Sequence, residues 1–145
     1  MIIDHGRLRA FANRIVAAGG SSPDEAAFVA DHLVEANLRG HDSHGVGMLV
    51  AYVRDFEAGT LKVNQAPEIV SDTGTISVWD ARAGYGQVIA HQAVEWAIKA
   101  AKQHGVAVNG LRNAHHIGRV GTYGEVAARA GMVALHFVNV ASGSP

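Results

Sequence analysis

Apolar residues in the first third of the chain recur at helical rather than strand spacing. From Arg7 to Ala18, the positions Leu8, Phe11, Ala12, Ile15 and Val16 fall on one face, and Gly19-Gly20 interrupts the run. The spacing predicts an amphipathic helix. Ser22-Pro23-Asp24-Glu25 comes next, with a serine to cap the helix, proline at its first position and a glutamate three residues after the cap. This capping box predicts a second helix through Phe28, Val29, Leu33, Val34 and Leu38 that stops at Gly40. A third helical pattern, Val46, Leu49, Val50, Val53 and Phe56, closes at Gly59, and Ser43 is placed to cap it.

Past residue 67 the period changes. Glu68 to Asp72 and Thr75 to Asp80 are β-rich runs around Thr73-Gly74 and predict a hairpin. Gln87 to Gln103 reads as a long Ala-rich helix, Val106 to Leu111 as a short strand, and Gly118 to Ala130 as a loop entering a helix. Met132 to Val140 is almost wholly apolar and predicts a buried strand, with His136 as a satisfied core histidine. The expected fold class is α/β: an N-terminal helical segment, residues 1–66, followed by a mixed α/β part, residues 67–145. Ser142-Gly143-Ser144-Pro145 stands where a turn out of the last strand should lead onward, so the sequence reads as cut there. That strand is expected to leave an apolar edge for another chain to cover.

Composition narrows the function classes. A chain of 145 residues with 48% apolar and 17% charged side chains can build a core without staples, which excludes intrinsic disorder. It has no cysteine, so thiolate metal sites and cysteine nucleophiles are excluded. A net charge of -1 offers no field for a polyanion, and nucleic acid is not an expected partner. The N-terminus lacks a basic flank and apolar run, and no stretch approaches ~18 apolar residues, so no membrane partner is expected and the cytoplasm is the expected location.

Two glycine-bounded polar segments carry the candidate chemistry. Gly40-His41-Asp42-Ser43-His44-Gly45 lies between two predicted helices. Free N–H groups at a helix start favour an anion and disfavour a protonated histidine, which would suit His44 to acid/base work; caps and solvated histidines explain the segment equally simply. Asn113-Ala114-His115-His116-Ile117-Gly118-Arg119-Val120-Gly121 follows a strand and opens a helix, the place where open α/β folds bind ligands. Its glycines permit close approach and Arg119 supplies a fork for phosphate or carboxylate, although turn geometry and helix packing also account for them. The glycine spacing is not that of a Rossmann dinucleotide loop. His41, His44, His115 and His116 invite a metal, but no His-Glu-x-x-His spacing occurs, and no metal is expected. Tyr85 and Gln87, in Gly84-Tyr85-Gly86-Gln87, are further candidates for a pocket wall.

Together, Gly40-His41-Asp42-Ser43-His44-Gly45-Val46, Gly84-Tyr85-Gly86-Gln87 and Asn113-Ala114-His115-His116-Ile117-Gly118 resemble, in order and separation, the type 2 malate/L-lactate dehydrogenase family. Within it the pattern looks most like bacterial hydroxycarboxylate dehydrogenases. The resemblance implies an oxidoreductase using NAD or NADP to interconvert 2-hydroxy acids and 2-oxo acids, a cofactor fold that is not Rossmann, and a homodimer. It implies catalytic roles for His44 and His116, with Ser43 orienting His44, and cofactor contacts from His44, Gly118, Arg119 and Val120. Of the two histidines His116 is the expected acid/base, although the roles are exchangeable. Many members carry an arginine where this chain has Met48, which leaves Arg119 or Arg54 as the expected carboxylate anchor, or an apolar substrate side chain against Met48. Family chains are more than twice as long, so the resemblance covers a front portion only. Two other readings follow from these features: an inactive assembly module, and a relative acting on ureidoglycolate or cyclic imines.

Overall fold

Helices and a small mixed sheet alternate in a computed structural model that describes residues 2–139. The order is α1 (His5–Ala18), α2 (Pro23–Leu38), α3 (Leu49–Glu57), β1 (Glu68–Asp72), β2 (Ile76–Asp80), α4 (Gly86–His104), β3 (Val108–Arg112) and α5 (Gly121–Arg129). β1 pairs antiparallel with β2 as the expected hairpin, and β2 pairs parallel with β3 through the α4 crossover. This is the expected mixed α/β architecture.

The ends of α2 follow from its sequence. Ser22 Oγ accepts from the Glu25 amide, as a cap should. The reciprocal half of the capping box does not form: the Glu25 carboxylate turns to the Asn64 amide, and Asn64 Oδ1 takes the Ser22 N–H. One long-range residue thereby replaces a local bond and ties the stretch before β1 to the start of α2. At the other end Gly40, at φ 75°, lets its own N–H reach Asn37 O and that of His41 reach Ala36 O. This six-to-one and five-to-two pair is the glycine stop expected there.

α2 is central, burying Ala26, Val29, Ala30, Leu33, Val34 and Ala36. Ala12 and Val16 of α1 pack on it, and Leu49, Tyr52, Leu61 and Tyr85 complete the core beneath the polar segments. Small residues on α1 and α2 permit close approach, and Phe11, expected on the buried face, lies exposed. On the sheet, Trp79 meets Trp96 of α4 edge to face, and its indole N–H donates to buried Ser77.

Four further expectations fail. The helix expected from Val46 begins only at Leu49; before it stand two single 3-10 turns, Asp42–His44 and Val46–Met48. Ser43 does not cap it, because Asn37 Oδ1 reaches across to take the Val46 N–H at 2.9 Å. Residues 132–139 form no strand: with nothing alongside to pair their backbone, Val133, Leu135 and Phe137 stand 95%, 80% and 93% exposed. His136 is accordingly exposed, its ring tilted towards that of Tyr123, rather than a core histidine. Val140 and the closing Ser142-Gly143-Ser144-Pro145 lie outside the described residues.

Candidate active site

The loop 40–46 is held from below by Asn37, in the last turn of α2. Its Nδ2 donates to Asp42 at 2.6 Å while its Oδ1 accepts from Val46. Gly45 is required there, since a Cβ at that position would overlap the Asn37 amide. This clamp sets His44 at the rim, half-buried, with its Nδ1 2.9 Å from Ser43 Oγ.

The second histidine arrives from the far side of the sequence. β3 ends at Arg112, and Asn113 takes a left-handed turn at φ 52°, a conformation asparagine tolerates, with its side-chain amide on Asp80. The chain then crosses the start of α4: Asn113 O accepts from Ala83 N, and His115 N donates to Gly84 O. A Cβ on Gly86 would overlap the His115 carbonyl, so only glycine lets these backbones touch. That contact explains Gly86, while at Gly84 a Cβ would meet Gln65 and Ile89 instead, and it delivers His116 to a position where its ring centroid lies 5.3 Å from that of His44.

His116 is anchored through Nδ1, which lies 2.7 Å from the hydroxyl of Tyr52. Tyr52, only 2% exposed, in turn accepts from the Gln87 side-chain amide. Burial, with His44 and His115 adding to it, pushes the His116 pKa down to about 4, so the ring is neutral at pH 7. Burial likewise raises that of Tyr52, which stays protonated. His115 turns the other way, its Nε2 3.1 Å from Asp55. Burial opposes the charge on Asp55, but hydrogen bonds from His115 and Arg54 outweigh it and hold the carboxyl below its usual range.

The residues 118–120 form a shelf whose donors face inward. Gly118, at φ 71°, sits where a Cβ would strike the His32 ring, and the Arg119 N–H donates to His32 Nε2 at 3.1 Å. The Arg119 guanidinium is taken by Glu125 at 2.7 Å. Arg54, the other substitute for an arginine at position 48, is 76% exposed in its side chain and leans on Asp55. Met48 packs half-buried against the core. Among the described residues no cluster of three or more histidine and carboxylate groups is arranged to hold a metal, and no helix is long and apolar enough to cross a membrane.

The sequence reading missed Asn37, Tyr52 and His32. The available signals were polar tips in apolar helix faces: Tyr52 among Leu49, Val53 and Phe56, and His32 among Phe28, Val29 and Leu33. His32 is 4% exposed, and burial, with His116 and Arg119 adding to it, lowers its pKa to about 4; His91 acts the same way and Asp31 against it. Unfolded, the ring takes a proton near 6.5, so between that pH and about 4 the unfolded chain holds the extra proton. Stability is therefore greatest above pH 6.5 and falls as pH drops towards 4, by up to about 3 kcal/mol from this residue. Urea unfolding at pH 7 and pH 4.5 measures the slope, and His32→Gln, which keeps an acceptor for Arg119, is expected to flatten it. An unchanged slope in that variant would remove His32 as its source.

The profile of the malate/L-lactate dehydrogenase family matches residues 3–145. Hydroxycarboxylate dehydrogenase B of Escherichia coli K12 is 44% identical over 137 residues, which is 94% of this chain and 38% of that protein. L-lactate dehydrogenase of Cupriavidus necator is 39% identical over 94% of this chain and 39% of its own length. Among solved structures, a malate/lactate dehydrogenase from E. coli superposes with a TM-score of 0.87 at 43% identity, over 90% of this chain and 37% of that one. The malate dehydrogenase of Pyrococcus horikoshii gives 0.86 at 33%, over 90% and 38%. The chain thus spans about 38% of the length of the curated relatives it matches. With the profile match running through both histidine segments and the helices that set them, this chain belongs to the malate/L-lactate dehydrogenase family.

Proposed function

We propose that the chain carries the proton-handling side of a 2-hydroxy acid dehydrogenase, which interconverts 2-hydroxy acids and 2-oxo acids with NAD or NADP and acts as a homodimer. One observation carries the reading: two imidazoles from distant segments lie 5.3 Å apart, and one of them is held neutral by burial. A bound nicotinamide supplies the hydride donor or acceptor. The proton that accompanies hydride movement is exchanged at the substrate's C2 oxygen, and a histidine neutral at pH 7 is suited to that exchange. His116 takes the acid/base role with its Nε2, since Nδ1 is committed to Tyr52. His44 lies beside it, oriented by Ser43.

The half-buried histidine pair, its rings tilted 31° to each other, suits a nicotinamide ring and a small substrate. The fit at the phosphates is poorer, because the Arg119 amide is taken by His32 and the outer guanidinium nitrogens by Glu125 and Thr122, with only the buried Nε left without a partner among the described residues. Gly118, Arg119 and Val120 therefore serve the cofactor as a shaped surface, and the phosphate donors come from elsewhere in the protein. The same ion pair leaves Arg119 a poor carboxylate anchor. The test is turnover by the protein of a panel of 2-hydroxy acids with each nicotinamide cofactor, and of the 2-oxo acids in reverse, followed by nicotinamide absorbance. Reduction of a 2-oxo acid supports the reading. Turnover confined to cyclic imines or ureidoglycolate would reassign the reaction, and no turnover or cofactor binding would reduce the chain to an assembly module.

A further inference from the structure

The Gln87 side chain is wholly buried and touches both halves of the candidate site, yet the dehydrogenase reading gives it no task. Its Cγ backs the loop at Gly118, where an added Cβ would meet it at 3.1 Å, and its Nε2 donates to the Tyr52 hydroxyl. A phenol has one proton. With the amide N–H occupying the oxygen's acceptor side, that proton is directed to the group Tyr52 meets next, His116 Nδ1 at 2.7 Å. A neutral imidazole whose Nδ1 accepts must carry its own proton on Nε2.

We infer that Gln87 is a positioning residue which, through Tyr52, fixes the tautomer of His116 so that Nε2–H, not a lone pair, faces the bound substrate.

The orientation of the amide decides this, because a Gln87 turned end for end would accept from Tyr52, make Tyr52 accept from His116 Nδ1–H, and bare Nε2. The structure has the first order, with Gln87 Nε2 towards the Tyr52 hydroxyl. In that order Gln87 Oε1 has no donor among the described residues, which leaves one buried carbonyl unpaired. An unpaired buried carbonyl costs less than an unpaired N–H. Neutrality of His116 makes Nδ1 available to accept the Tyr52 proton in this order. The consequence, which rests on the proposed dehydrogenase chemistry, is a resting site set for the 2-oxo acid: its C2 oxygen can only accept, and Nε2–H polarises it.

Nitrogen NMR of histidine-labelled protein, without cofactor or substrate, reads the tautomer directly. The expected pattern at neutral pH is a pyridine-type shift at His116 Nδ1 and a pyrrole-type shift at Nε2. Gln87→Glu, titrated to pH values at which the new carboxyl is ionised, presents only acceptors to Tyr52 and is expected to reverse the two shifts; Tyr52→Phe, which deletes the donor, is expected to bring both towards the average of free imidazole. A pyrrole-type Nδ1 in the unsubstituted protein, or a pattern indifferent to both substitutions, overturns the inference. Because no turnover is involved, a tautomer that reverses as expected in a protein inactive towards every 2-oxo acid upholds the relay and sinks only the proposed reaction. In an active protein, Gln87→Glu is further expected to lower kcat for 2-oxo acid reduction about tenfold with KM little changed, and to move the acidic limb of the pH profile upward. A purely structural role for Gln87 would shift neither the limb nor the tautomer.

Discussion

Replacing His116 by alanine is expected to lower 2-oxo acid reduction about 10²–10⁴-fold, the usual span for a lost acid/base or transition-state hydrogen-bond donor. Cofactor binding should survive, because His116 is not what shapes the 118–120 shelf: His32, Glu125 and Tyr123 hold that loop, Tyr123 by donating to Ile117 O. The fold should survive too, since deleting the ring leaves the Tyr52 hydroxyl still bonded to Gln87. The informative measurement is therefore kcat alongside a nicotinamide titration. His44→Ala is expected to cost a similar factor and, if the two rings act as one unit, the double variant should lose little more than either alone. Unchanged turnover in His116→Ala would withdraw it from proton handling and leave His44 as the working group.

The second large effect is on stability and concerns Gly86. At the first turn of α4 its Cα faces the backbone of the loop that delivers His116, and an alanine Cβ would overlap His115 O and lie 2.7 Å from His116 O. Both obstacles are main chain held by neighbouring hydrogen bonds, Ala83 to Asn113 and His115 to Gly84, so neither can swing aside. Gly86→Ala is expected to cost about 3 kcal/mol or more, as overpacking against a fixed neighbour does. For a chain of this size that is a fall in Tm on the order of 10 °C. Gly105→Ala is the control: nothing lies within 4 Å of its Cβ, although its φ of 83° still adds some backbone strain. Thermal unfolding of the two variants compares a clash with a strain, and a smaller loss at Gly86 than at Gly105 would mean the loop is not pinned as described.

Much of the frame is legible in the chain itself. Local rules placed α2 between its Ser22 cap and Gly40, the hairpin around Thr73-Gly74, and α4 before its left-handed Gly105, because caps and glycine stops act within a few residues. The same rules failed where a distant partner outbid a near one. Asn37 and Asn64 took amides that local reading assigned to Ser43 and Glu25, and neither bond has a signature at short range. Residues 132–139 have the composition of a buried strand, but composition does not supply a neighbouring strand, and a lone segment has no ladder to join.

The candidate residues divide in the same way. His44 and His116 stand out in sequence because each sits in a polar, glycine-bounded segment between predicted elements. Their meeting could not be read there: it depends on the parallel pairing of β2 with β3 and on the bare α-carbon of Gly86, which together carry residue 116 back over the N-terminal helices. Tyr52 and His32 were hidden for a related reason, as was the bond that gives Gln87 its place. Each looks like an ordinary member of an amphipathic helix, and its role comes from one polar atom aimed inward at a residue on another element. The sequence by itself determined the helices, the hairpin and the two histidine segments, since spacing and capping are local properties of the chain. Tertiary structure alone decided that the histidines face one another and which of their nitrogens are already taken, because burial and hydrogen-bond direction exist only once distant segments are packed.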